Sequence, residues 1–308
     1  MGKKIVFALA LLTLASSAYS ANKHAYSANK HGYSSSKDDD IDSQAKSAIN
    51  QLKSQEVTSA PTESTEAATK KTKAVIANVA IIIDDIGYNK RQGMKAIALP
   101  GNITYAIIPH SPNAVFLAQH AKKHQKEIML HAPMSNINHR PMGESGLRES
   151  MGETDFTQAL TRAINSVPHI SGVNNHMGSL LTQKHLPMEW TMKELVKHGL
   201  YFIDSRTTSH SVAWKTAQKR NVPSLKRDVF LDHDRDPEII NDQFSEFIAI
   251  AKRRGYAIAI AHPYPETLAY LQQNLDRLAS QGIRLVPAST LVKRYSPNQK
   301  QLRAEFTQ

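Results

Sequence analysis

The amino-acid sequence predicts an α/β fold in which parallel strands alternate with helices. Short, continuously apolar segments such as Val79–Ile83 and Ala257–Ala261 are typical of strands buried on both faces. The stretches between them carry apolar residues at helical spacing, as after Pro237. Strand and helix alternate about seven or eight times, which requires right-handed crossovers and a sheet covered by helices. This repeat number favours a (β/α) barrel over an open doubly wound sheet, although periodicity alone is compatible with both.

The predicted elements follow one another from residue 79 to residue 286. Apolar runs predict strands at 79–84, 103–108, 127–131, 172–175, 200–204, 226–232, 257–261 and 284–286. Helical spacing predicts helices near 90–98, 113–124, 154–167, 188–198, 212–220, 237–251 and 266–281. Thr154 is expected to cap the third of these helices, and Pro237 is expected to open the sixth.

The first twenty residues have the layout of a secretory signal peptide. Two lysines precede an apolar run, Ile5–Leu14, and the small residues that follow end in Ala18-Tyr19-Ser20, which fits a cleavage site. The run is too short to span a bilayer, and an uncleaved membrane anchor is the alternative. No later segment is apolar enough to cross a membrane. We therefore expect an exported, periplasmic protein without a stable membrane span.

Composition divides the rest of the chain into three parts. Residues 21–77 contain a near repeat, Ser20–Tyr26 and Ser27–Tyr33, and are rich in Ser, Ala, Lys and acidic residues. Such a segment buries too little apolar surface to offset its chain entropy, so we expect a disordered, low-complexity linker. Residues 78–295 form the predicted folded domain, and 296–308 a flexible C-terminal tail.

Two features of composition exclude classes of site. The chain has no cysteine, which excludes a disulfide framework, thiolate metal sites and a cysteine nucleophile. Any metal must therefore be held by His, Asp, Glu or Asn. The formal net charge is +11, which favours acidic envelope surfaces, although solvated lysines without a partner explain it equally well. No basic run interleaved with aromatic residues suggests nucleic acid.

Strand after strand ends in a residue that can bind a metal or transfer a proton. The carboxyl ends of parallel strands meet at one rim, where active sites of α/β folds form. A single aspartate in such a place is commonly a helix cap, and His131 or His262 alone could be a core or turn histidine. The number of such ends favours a shared site, which comprises Asp84, Asp85, His131, Asn175, His176, Asp204, Asp232 and His262.

Five motifs in order carry a resemblance to a known family. They are Ile83-Asp84-Asp85-Ile86-Gly87-Tyr88, His131-Ala-Pro-Met134, Gly172-Val-Asn-Asn-His-Met-Gly-Ser179, Phe202-Ile-Asp-Ser205 and Ala261-His-Pro263. The set resembles the divergent branch of the NodB-type polysaccharide deacetylases and covers residues 78–295. The resemblance implies a NodB-like (β/α) barrel, distorted and seven-stranded.

The resemblance also implies roles for individual residues. In such deacetylases the first aspartate of the pair is the general base and the second binds a divalent metal, which implies Asp84 as base and Asp85 as ligand. His131 matches the first histidine of the second motif, a further metal ligand. His262 matches the histidine that acts as general acid for the leaving group.

One position departs from the family pattern. Ser135 stands where the second histidine of the second motif is expected. His176, at the end of the next strand, is the candidate replacement. One carboxylate and two imidazoles would leave positions open for water and substrate, as catalytic zinc requires.

The resulting hypothesis is a zinc-type, metal-dependent hydrolase that removes N- or O-acetyl groups from a polysaccharide or cell-envelope glycan. Asn175, Asp204, Asp232 and Arg227 are expected to bind substrate or to orient neighbouring groups. A carbohydrate-binding protein that kept the fold and lost efficient catalysis is the alternative. A metal phosphoesterase has suitable residue types, but the sequence lacks an evident phosphate-cradling glycine-rich loop.

Overall fold

The computed structural model describes residues 75–143 and 145–297. The predicted signal peptide 1–20, the predicted linker up to residue 74 and the predicted tail from residue 298 lie outside the described residues. The first strand begins at Ala77. Ser296 is buried, and its hydroxyl accepts a hydrogen bond of 3.0 Å from the Ser224 backbone N–H.

The described residues contain one curled sheet whose strand pairs are all parallel. Its order is β6-β5-β4-β3-β2-β1-β8-β7, and β9 pairs with the start of β1. The strands are β1 Ala77–Ile86, β2 Thr104–Ile107, β3 Glu127–Met134, β4 Ile170–Met177, β5 Tyr201–Asp204, β6 Ser224–Lys226, β7 Val229–Phe230, β8 Tyr256–Ala261 and β9 Ile283–Leu285.

The strand predicted at 226–232 is in fact two strands at opposite edges of the sheet. β6 pairs with β5 and β7 pairs with β8, so only Arg227 and Asp228 separate the two edges along the chain. Two linking residues span at most about 10 Å, so the edges must lie close together. The sheet is therefore curled into a barrel with a seam between β6 and β7, as predicted. Its described part has nine strands where seven were expected, partly because of this division.

Helices cover the outside of the sheet. They are α1 Lys90–Ile97, α2 Ala114–Lys123, α3 Glu153–Ser166, α4 His185–His198, α5 Ala213–Lys219, α6 Pro237–Arg254, α7 Pro265–Asn274, α8 Asp276–Ser280 and α9 Ala288–Tyr295. Pro237 opens α6 as predicted. Thr154 was wrong as a cap, because α3 already begins at Glu153 with Gly152 before it. Within the described residues, no helix is both long and apolar enough to cross a membrane.

Side chains alternate between two apolar cores along each strand. Val79, Ile81 and Ile83 pack between the sheet and its helices, whereas Ala80 and Ile82 belong to the core inside the barrel. The same alternation makes Met129, Ile203, Leu225, Ile258 and Ile260 inner residues of their strands. Because strand side chains repeat every two residues, the next residue of each inner row lies at the mouth formed by the carboxyl ends. This register determines which polar residues can meet.

The opposite end of the barrel is closed by side chains and by the start of α9. Glu127 accepts hydrogen bonds from Thr104 Oγ1 at 2.8 Å and Ser171 Oγ at 2.9 Å, and Ser289 N lies 3.2 Å from its Oε2. The ring of Tyr201 fills the interior directly above Gly172. A packed floor leaves the mouth as the accessible end of the barrel.

Gly172→Ala should destabilise the fold, because the new Cβ would lie 2.4 Å from Tyr201 Cε2 in the barrel interior. Overpacking of this kind costs about 1–3 kcal/mol in the free energy of unfolding, measurable by denaturant unfolding. Gly152→Ala is the control, since its Cβ would meet nothing within 4 Å. Equal stability of the two variants would show that Tyr201 moves without cost.

Candidate active site

The mouth brings together six acidic and histidine side chains and one amide. Asp84, His131 and His262 each follow the last inner apolar residue of their strand by two positions, which explains why they face inward. Asp85 reaches the mouth in another way: the β1–β2 register shifts between Ile83 and Ile86, and Asp85 has φ 56°. A bulge of this kind redirects a side chain beside a functional site. The mouth residues are Asp84, Asp85, His131, Asn174, His176, Asp232 and His262.

Asp85, His131 and His176 come close enough to share an ion. Asp85 Oδ1 lies 3.2 Å from His131 Nε2 and 2.9 Å from His176 Nδ1, and the two ring nitrogens lie 3.2 Å apart. One ligand atom from each residue lies within 4.8 Å of the others, which makes them a possible Asp/His/His metal site. His176 thus joins Asp85 and His131, as expected from its position at the end of the next strand.

The atoms of Asp85, His131 and His176 that face one another are suited to binding a cation. Asp85 Oδ1 is buried and has no hydrogen bond of acceptable geometry within residues 75–143 and 145–297. The Nδ1 atom of His131 lies 2.7 Å from Asn174 Oδ1, an acceptor, so Nδ1 carries the proton and Nε2 of the neutral ring presents its lone pair to Asp85. A carboxylate oxygen and two imidazole nitrogens are the donor set of catalytic zinc sites.

Asn174 links the two halves of the site and was not identified from the sequence. Its Oδ1 accepts from His131 Nδ1, and its Nδ2 donates to Asp84 Oδ1 at 2.8 Å. Because a carboxylate only accepts hydrogen bonds, this second contact fixes the orientation of the amide. Asn174 therefore holds the tautomer of His131 and the position of Asp84 at once. The sequence does indicate this placement, because Asn174 and His176 are two residues apart on β4 and therefore share a face.

The two adjacent carboxylates have opposite electrostatic environments. Burial raises the pKa of Asp84 above its usual range, although His131, His262 and the hydrogen bond from Asn174 oppose the shift. Burial also acts to raise the pKa of Asp85, but the contacts with His131 and His176 outweigh it and hold that pKa well below its usual range. Asp84 is therefore the more basic carboxylate and Asp85 the one that stays ionised.

The environment of His131 is set by the same carboxylates. Burial acts to lower its pKa, but the charges of Asp84 and Asp85 outweigh burial and raise it. A proton on Nε2 and a metal ion would occupy the same place between His131 and Asp85. Metal binding would therefore release that proton.

His262 and Asp232 form a second group at the mouth. His262 Nδ1 lies 3.0 Å from Asp232 Oδ1, while Asp232 Oδ2 accepts from the His262 backbone N–H at 2.6 Å and from Thr267 Oγ1 at 2.9 Å. Nε2 consequently points away from Asp232 and lies 3.8 Å from Asp85 Oδ2. Burial acts to lower the pKa of His262, but Asp232, with Asp85 and Asp84, raises it to about 9. A protonated imidazole held in this way can donate a proton from Nε2.

Two residues expected at the site, Asn175 and Asp204, have other contacts. Asn175 accepts from Ser205 N at 2.9 Å and donates to Met177 O at 2.8 Å. Asp204 is fully buried and accepts from Ser211 Oγ and from Arg206 N. Both alternate with inner residues of their strands, so they organise loops at the rim rather than face the trio.

Arg227 enters the mouth from the seam. Its Nε donates to Ser205 O at 2.6 Å and its Nη2 to Arg206 O at 3.0 Å. Ser135 takes no part in the trio: its hydroxyl donates to Glu149 Oε2 at 2.5 Å. The mouth thus contains one candidate metal trio, one buried carboxylate and one Asp–His pair.

Comparisons with known proteins identify the family of this chain. The family model described as divergent polysaccharide deacetylase matches residues 81–292. The uncharacterized protein YibQ of Escherichia coli (strain K12) is 37% identical over 214 residues, which are 70% of this chain and 67% of that protein. An uncharacterized protein of Haemophilus influenzae is 37% identical over 215 residues, 70% of this chain and 76% of that protein.

A solved structure shows the same fold. The uncharacterized protein ATU2773 from Agrobacterium tumefaciens C58 superposes with a TM-score of 0.69 at 24% identity, covering 71% of this chain and 90% of that one. The family model covers most of the barrel, from the middle of β1 into α9. This chain therefore belongs to the divergent polysaccharide deacetylase family.

Proposed function

We propose that the chain is a metal-dependent hydrolase that removes an acetyl group from a sugar of a polysaccharide or cell-envelope glycan. The observation that carries the proposal is the meeting, in one barrel mouth, of a possible Asp/His/His metal site, a buried carboxylate of raised pKa and an Asp-supported histidine. Metal-assisted hydrolysis needs these three elements: an ion, a base for the water and an acid for the leaving group.

The proposed reaction divides the work among the residues of the mouth. Asp85, His131 and His176 would hold a divalent ion, zinc by donor type, which would supply Lewis acidity toward water and the acyl carbonyl. Asp84 takes a proton from the attacking water, whose oxygen bonds to the acyl carbon. His262 donates a proton from Nε2 to the departing nitrogen or oxygen as its bond to that carbon breaks. Acetate and the free sugar amine or hydroxyl are the products.

The proposed location rests on the signal-peptide pattern of the first residues. We propose export by the predicted signal peptide and residence in the periplasm, where envelope glycans are the available acetylated polymers. Two further residues would position the groups that react. Asn174 would position His131 and Asp84, and Asp232 would position His262. A carbohydrate-binding protein without efficient turnover is the second candidate, and Ser135 at the expected histidine position favours it.

Metal content and turnover should separate ligands from base. Asp85→Ala, His131→Ala and His176→Ala should each lower zinc occupancy, because ligands are needed for affinity. Asp84→Asn should keep the metal and lose about 10²-fold or more in acetate release, because only the chemistry needs the base. Metal analysis and an acetate assay on acetylated chitooligomers test both. Normal zinc content in His176→Ala would remove it from the ligand set.

Asn174 should be tested with two substitutions. Asn174→Ala removes the partner of His131 Nδ1, so zinc affinity should fall about 10–100-fold. Asn174→Asp still accepts from Nδ1 but gives Asp84 no donor, so it should bind zinc better than Asn174→Ala while turnover stays low. Competition with a chelator measures the affinity. Wild-type affinity in Asn174→Ala would show that packing alone orients His131.

His262→Ala should affect poor leaving groups more than good ones. A sugar amine needs a proton to depart, so its release should fall about 10²-fold or more, whereas nitrophenolate leaves as a stable anion. We expect a much smaller loss on nitrophenyl acetate, with unchanged metal content. Equal losses on both substrates would contradict the acid role.

A further inference from the structure

The side of the barrel mouth opposite β1 carries a buried hydroxyl. Around the barrel, β5 lies four places from β1 in either direction, so the end of β5 faces the strand end that carries Asp84. Ser205 directly follows β5, two residues after Ile203 of the inner core. Alternation therefore directs the Ser205 side chain into the mouth.

The Ser205 hydroxyl has surroundings that point to a ligand. Ser205 is 4% exposed, and its Oγ is buried without a hydrogen-bond partner among residues 75–143 and 145–297. The backbone around it is held on both sides, since Ser205 N donates to Asn175 Oδ1 and Ser205 O accepts from Arg227 Nε. Buried polar side chains are normally paired, and an unpaired one points to a ligand or a functional role.

Arg227 makes this side of the mouth polar, and its charge also acts on Asp84. Its guanidinium crosses from the seam to the Ser205 and Arg206 carbonyls and lies 5.2 Å from the centre of the Phe230 ring. Ser205 and Arg227 share no hydrogen bond or ion pair with the described residues of the metal trio. The β5–β6 side can therefore bind substrate while the β1, β3, β4 and β8 ends perform the reaction.

We infer that Ser205 is a substrate-contacting residue whose hydroxyl bonds a ring hydroxyl or amide group of the acetylated sugar. The inference rests on the proposed function, because a sugar placed at Asp84 occupies the space between β1 and β5. A hydroxyl can both donate and accept, which matches the groups that sugars and acetamides offer. Binding sites of this kind use a few polar groups held in place by the scaffold.

The test uses the full chain with a matched pair of variants, Ser205→Ala and Ser224→Ala. Ser224 Oγ is likewise buried without a partner among the described residues, but Ser224 begins β6 at the closed end of the barrel. Both changes remove an unpaired hydroxyl, so neither should lower the melting temperature. Binding of tetra-N-acetylchitotetraose to zinc-loaded Asp84→Asn protein, measured by calorimetry, should weaken about three- to tenfold with Ser205→Ala and stay unchanged with Ser224→Ala.

The other outcomes separate a failure of the inference from a failure of the proposed function. Unchanged glycan affinity in Ser205→Ala, or equal weakening in both variants, removes Ser205 from the binding site. A lower melting temperature in Ser205→Ala alone shows a structural hydroxyl. Binding without acetate release by the chain with Asp84 intact defeats the proposed reaction but supports the Ser205 contact if the variants differ as expected. No binding of this probe or of a peptidoglycan fragment defeats both.

Discussion

The two-residue repeat of the barrel strands is the constraint on which the site depends. Once Ile82, Met129, Ile203 and Ile260 are committed to the inner core, the residues two positions later must face the mouth. A slip of one residue in β3 or β8 would replace His131 or His262 by an apolar neighbour. The register that packs the inner core therefore also places the side chains of the candidate site.

The inward position of Asp85 is one that strand alternation alone cannot produce. Two consecutive strand residues cannot both face inward, yet the site uses Asp84 and Asp85 together. The shift in β1 pairing and the left-handed backbone of Asp85 turn the second carboxylate toward His131 and His176. Aspartate tolerates this conformation better than most residues, but it still costs about 1 kcal/mol or more. The contacts with the two imidazoles offset that cost.

The sequence predicts the barrel well because apolar strands and helices repeat in order. It could not predict the seam, since 226–232 reads as one strand until its halves are seen to pair with β5 and β8. The strand ends predicted that acidic and histidine side chains meet at one rim, and the structure brings Asp84, Asp85, His131, His176 and His262 together there. Asn175 and Asp204 were predicted without regard to alternation, which places Asn174 and Ser205 on the inner face of β4 and after β5. The bulge at Asp85 depends on tertiary pairing, so no local pattern indicates it.

The two carboxylates acquire different properties although they are neighbours in sequence. Asp84 is 3% exposed, and its Oδ1 receives a single amide donor, so burial dominates and the carboxylate is basic. Asp85 faces two imidazoles, which stabilise its charge more than burial opposes it. Groups whose environments separate their pKa values in this way can divide acid–base work between them. Asn174 connects the two environments, because the amide that fixes the His131 ring also donates to Asp84. A displacement of His131 would therefore reach both carboxylates at once.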